Sequence, residues 1–158
     1  MKINRFDQIE AWQLARELTK KVYRLTSMDG FSRDFSLKRQ IQAAAGSSMH
    51  NIAEGFDSDT NSEFLRFLRY AKRSCSEVQS ELYVPLDQKY ISESEFREVY
   101  DYAGRTRATI RGFIKYLLSY PKKQSNAIQH PERKAVNGKR ETLGGGTNEF
   151  RVSGTDKR

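Results

Sequence analysis

Phe64-Leu65-Arg66-Phe67-Leu68-Arg69-Tyr70-Ala71-Lys72-Arg73-Ser74-Cys75-Ser76-Glu77-Val78-Gln79-Ser80-Glu81-Leu82 decides the fold class, because its apolar residues return at steps of three or four. Phe64, Leu65, Leu68, Ala71, Cys75, Val78 and Leu82 fall on one side of a helix with 3.6 residues per turn. Phe67 and Tyr70 widen that side beyond a narrow stripe, which suits a thick core or a contact with another subunit. Upstream, the run Asp57-Ser58-Asp59-Thr60-Asn61-Ser62 supplies short polar side chains that cap exposed helix amides. Downstream, Pro85 has no amide to donate and crowds the preceding turn, so a kink or helix end is expected around Tyr83 to Leu86.

The same periodicity marks three more helices. Ile9, Trp12, Ala15, Leu18, Val22 and Leu25 make the inner face of the first, which runs to about Thr26. Asp7 is its expected cap, with Glu10 three positions on and Phe6 stapled to Ala11. Ser27 to Arg33 reads as a loop. The second helix starts near Asp34 to Ser36, and Leu37, Ile41, Ala44, Ala45, Ser48, Met49 and Ile52 give it a face of mostly small side chains that lets a neighbour approach closely. Ser92 and Glu95 form a capping box for the last helix, with Ile91 stapled to Phe96. Phe96, Val99, Ala103, Thr106, Ile110, Phe113 and Leu117 line its interior.

No strand alternation, tandem repeat or long heptad interrupts this pattern. The fold class expected is all-α, an antiparallel up-and-down four-helix bundle over residues 1–120. Periodicity stops at Tyr120-Pro121. Residues 121–158 hold nine basic and four acidic residues, few bulky apolar ones and the Gly144-Gly145-Gly146 run. They read as a disordered basic tail.

Composition narrows the function. The 158 residues, 37% apolar, suffice for one domain, and 28 Lys and Arg against 20 Asp and Glu give a net charge of +8. That balance suits a polyanionic partner such as RNA or DNA, and it also serves solubility. No apolar run approaches the roughly 18 residues of a membrane span, and Met1 to Ile9 lacks the apolar centre of an export signal, so a cytoplasmic location is expected. Cys75 is the only cysteine, and His50 and His130 are the only histidines. An internal disulfide is impossible and a zinc site hard to assemble.

His50-Asn51-Ile52-Ala53-Glu54-Gly55 is the most suggestive polar cluster, yet it lacks a nucleophile, a second acid or base, and a metal-ligand pattern. Packing and capping explain it better. Asn51 is expected to bond backbone groups where the helix leaves the bundle, Glu54 to pair with an arginine, and Gly55 to take the left-handed conformation at the helix end. Cys75 reads as a packing residue. Basic groups are the better candidates for a nucleic-acid or partner surface: Lys38 and Arg39 on the second helix, Arg66, Arg69, Lys72 and Arg73 on the third, and Arg105, Arg107 and Arg111 on the last. Arginine engages phosphate bidentately, and oligomerisation would multiply even a modest patch.

Phe6-Asp7-Gln8-Ile9-Glu10-Ala11-Trp12, Leu37-Lys38-Arg39-Gln40-Ile41, Ala43-Ala44-Ala45, Asn51-Ile52-Ala53-Glu54-Gly55 and Glu63-Phe64-Leu65-Arg66-Phe67-Leu68, in that order, continue into a helix bearing Ser74, Glu77 and Glu81. Over about residues 5 to 118 the chain resembles the four-helix family encoded by intervening sequences within bacterial 23S ribosomal RNA genes, also called the S23 ribosomal protein family. The resemblance implies an antiparallel four-helix protomer, a homopentamer with a central channel, no cofactor and no enzyme activity. It also implies structural parts for Asn51, Glu54 and Gly55 as the family's helix-end segment. A related bundle is the accessory protein of diversity-generating retroelements, which implies an alternative: a module that binds a protein such as a reverse transcriptase.

Overall fold

Each amphipathic stretch becomes a helix in the computed structural model, which describes residues 3–119. The helices are α1 (Glu10–Leu25), α2 (Phe35–Phe56), α3 (Asn61–Glu81), the short α4 (Tyr83–Asp87) and α5 (Glu93–Ser119). Two 3₁₀ turns, Phe6–Gln8 and Phe31–Arg33, precede α1 and α2. α1 packs on α2 and α5, and α3 packs on the other sides of the same two helices. The four long helices therefore close a ring around one core, an up-and-down bundle. Leu18, Val22, Ile41, Ile52, Leu68 and Ile110 are fully enclosed. Each contributes roughly 1.5–3 kcal/mol by leaving water.

Local chemistry sets the helix ends. The Asp34 carboxylate accepts from the Leu37 amide at 3.1 Å and starts α2. The Thr60 hydroxyl accepts from the Glu63 amide at 3.2 Å and starts α3. Before α5, the Ser92 amide donates to Glu95 Oε2 at 2.8 Å while the Glu95 amide donates to the Ser92 hydroxyl at 3.3 Å, so the expected capping box forms. Pro85 ends up as the third residue of α4, where a first-turn residue needs no amide. Its carbonyl accepts from the Tyr90 amide at 2.8 Å, and Lys89 adopts φ 58° to reverse the chain.

Two expectations need correction here. Asp7 does not cap α1: residues Phe6–Gln8 form a 3₁₀ turn, Ile9 is extended, and the Asp7 carboxylate takes the Arg5 guanidinium instead. Phe6 packs edge-on against Trp12, with ring centroids 5.1 Å apart, and so occupies the place proposed for a staple on Ala11. Ser27 to Arg33 connects α1 and α2 without a long element, as expected, and its 3₁₀ turn buries Phe31 completely. Gly30 makes that possible at φ 87°, with the Tyr90 ring so close that an added Cβ would lie 3.2 Å from it. The basic-tail reading for 121–158 falls outside the described residues.

Candidate functional site

α3 is the helix on which the site depends, because it offers different side chains to its two neighbours. Toward α2, its Ser74 hydroxyl donates to the Ser47 hydroxyl at 3.1 Å. Asn51 completes this group by donating to the Ser47 carbonyl at 2.8 Å and hydroxyl at 2.9 Å. Asn51 thus bonds within the helix, one turn back, and does not finish it. Gly55 is also misread by sequence reasoning. It lies inside α2 without a left-handed backbone, buried where a Cβ would stand 2.6 Å from Phe67 Cβ and 2.8 Å from Phe64 Cδ2. Glu54 is exposed and pairs with no arginine among the described residues.

The nine basic candidates do not form one surface. Arg105 stacks over Tyr102 at 4.5 Å while Lys21 of α1 approaches the same ring at 5.1 Å, so Arg105 belongs to the α1/α5 side. Arg107 goes the other way and donates to Ser76 of α3 at 3.2 Å. Arg111 follows one turn later on that flank of α5, and Lys72 and Arg69 precede Ser76 by four and seven positions on α3. The two helices are antiparallel: Gln79 bonds the Tyr100 carbonyl at 3.1 Å, and Phe64 meets Phe113 at 5.6 Å. Arg111 is therefore brought alongside Lys72, and Arg73 stands on the outer edge of the same flank.

The others stay apart. Arg66 is partly neutralised by Glu63 at 3.6 Å and lies over Phe67 at 5.5 Å. Lys38 and Arg39 border a shallow depression with Phe35 and Gln42 at the start of α2. They lie about 13 Å along α2 from Ser47. Arg69, Lys72, Arg73, Arg107 and Arg111 make no ion pair among the described residues. By contrast, Glu98 is claimed by Lys21 and Arg24 and its carboxyl is held below its usual range by them, the Lys21 hydrogen bond first.

Sequence reasoning missed the aromatic group at the far end of this flank. Phe96 stacks on Tyr100 at 5.1 Å, and Tyr83 sits edge-on to both, at 5.0 and 5.9 Å. Phe96 was expected to be a staple partner for Ile91. The spacing of Phe96 and Tyr100, one helical turn apart, was visible; the arrival of Tyr83 depended on how the chain passes Pro85.

Among the described residues no group of three or more His, Cys, Asp or Glu is placed to hold a metal ion. Burial pushes the Cys75 thiol up to about 12, well away from the reactive thiolate range. Burial, with the Glu77 carboxylate second, pushes Glu81 up to about 7. Glu81 Oε2 is enclosed without a hydrogen-bond partner among the described residues. No helix among the described residues is long and apolar enough to cross a membrane.

A closed ring of four amphipathic helices with a cationic flank defines a helical-bundle protein. The chain matches the family described as 23S rRNA-intervening sequence protein over residues 7–112, and it belongs to that family. Its fold is similar to a crystal structure of a protein with unknown function from the S23 ribosomal protein family of Bacteroides thetaiotaomicron VPI-5482. The two share 17% identity and a TM-score of 0.61, over 66% of this chain and 98% of that one. Among curated proteins nothing matches the chain.

Proposed function

We propose that this protein is a homo-oligomeric scaffold that holds nucleic acid against the α3/α5 flank. The observation that supports binding is the set of five cations there, Arg69, Lys72, Arg73, Arg107 and Arg111, free of carboxylate partners among the described residues. Charges that a protein does not pair internally are available to displace counterions from a phosphate backbone. Assembly is supported by large apolar side chains left on the protomer surface: Phe35 is 77% exposed and Leu118 59%. Five copies is the number the family resemblance implies.

Light scattering at several concentrations in near-physiological salt tests assembly, and a mass fixed at one protomer rejects it. Retention of RNA or DNA at low salt, weakening steeply as salt rises, tests binding. Isolation from native cells of a reverse transcriptase without nucleic acid would instead favour a protein-binding accessory module.

A further inference from the structure

Phosphate contacts position a strand but do not engage its bases. The α3/α5 flank, however, has more than cations. Taking Ser76 as the origin, Arg69 lies seven residues back along α3, about 10 Å, and in the other direction Gln79 bonds the Tyr100 carbonyl and Tyr83, the first residue of α4, meets the Tyr100 ring at 5.9 Å. α5 runs antiparallel beside it, so Arg111 and Arg107 accompany the basic half and Tyr100 and Phe96 the aromatic half. The track thus passes from unpaired cations to rings within about 20 Å. Gln79 and Ser76, both bonded across to α5, hold the two halves in register.

The rings are not fully used by the core. Tyr83 is 48% exposed and Val84 beside it 44%. The acidic side chains of α3 avoid the track: Glu63 is engaged by Arg66, while Glu77 and Glu81 follow Ser74 by three and seven positions on the flank toward α2. A basic flank that leads to a half-exposed tyrosine matches the chemistry of an unpaired strand, whose phosphates run along the charges and whose bases have free faces to stack. In a duplex those faces are covered.

We infer that this flank selects a single-stranded polynucleotide, with phosphates along Arg69, Lys72, Arg107 and Arg111 and a base stacked on Tyr83. The inference rests on the nucleic-acid reading above and adds strand selectivity to it. Fluorescence anisotropy of the full chain with labelled U20 RNA, dT20 DNA and a mixed-sequence 20-base-pair duplex tests it. Both single strands are expected to bind more tightly than the duplex, and a preference between them reports only the sugar. Tyr83→Ala should weaken single-strand binding about tenfold and leave the duplex unchanged, while Tyr83→Phe, which keeps the ring, should restore it. Lys72→Gln with Arg107→Gln should weaken every nucleic acid and make the single-strand salt slope shallower by about 1.4.

Equal affinity for duplex and single strand, or no effect of Tyr83→Ala in a variant whose circular dichroism is native, overturns the strand selectivity. If the Lys72 and Arg107 variant still loses affinity in that case, the broader nucleic-acid reading stands. Failure of all three probes to bind at low salt removes both.

Discussion

α3 meets α2 and α5 in opposite ways. On the α2 side, Gly55 lets the two helices approach until Phe64 and Phe67 fill the space a side chain would need, and the polar atoms of Ser47, Asn51 and Ser74 satisfy one another. On the α5 side the apolar contact is rimmed by long cationic side chains and by Gln79 and Ser76, which bond across at the surface. A helix can therefore hold its position through small residues on one flank and remain chemically available on the other. The two flanks lie nearly half a turn apart around α3, since Ser74 and Ser76 are two residues apart.

The largest expected effect tests the tight side. Gly55→Val should cost about 3 kcal/mol, because its Cβ would need space already held by Phe67 and Phe64. A loss below about 0.5 kcal/mol in urea unfolding would mean the α2/α3 approach is not fixed by packing. Next comes the pH response of Glu81, two turns past Ser74. Its carboxyl is raised in the folded protein from an ordinary 4.5 to about 7, so the folded state favours the protonated form. Stability associated with it is complete below 4.5 and declines as pH rises to about 7. Glu81→Gln should flatten that decline; an unchanged pH profile would show that the carboxylate is well solvated.

Ser74→Ala removes one of the two donors to the Ser47 hydroxyl, Asn51 being the other, and should cost about 1 kcal/mol by thermal or urea unfolding. On the open side the sign reverses. A Cβ at Gly104 meets only the Gln79 amide, at 3.3 Å, and that flexible side chain can give a few tenths of an ångström while keeping its bond to the Tyr100 carbonyl. Gly104→Ala should therefore gain about 0.5 kcal/mol from helix propensity. A clear loss there would make the two sides equally tight and erase the contrast.

Periodicity sufficed for the four long helices and most of their inner faces, since burying one stripe per helix leaves few alternatives. The Ser92 and Glu95 box was equally readable, because both bonds are made within four residues. What escaped depended on the partner. Gly55 near a helix end looks like a terminator until Phe64 and Phe67 are known to lie against it. Asp7 looks like a cap, yet the chain stays extended at Ile9. Ile114 was left off the inner face although it is buried. The division of the basic residues was partly readable: Arg107 and Arg111 are one turn apart, whereas Arg105 sits two residues before Arg107 and so on another flank. Their opposition to Lys72 needed the register of α3 and α5.

The enclosure of Cys75 gives the bundle an internal clock. Its sulfur lies in a fully covered position, in hydrogen-bonding reach of Ser48 and near Arg107, where three of the long helices converge. A thiol reagent can reach it only when those helices part, so its rate of modification counts openings of the whole ring. Added polynucleotide that grips α3 and α5 together should slow the clock, while one that merely adheres to charge should leave its pace alone.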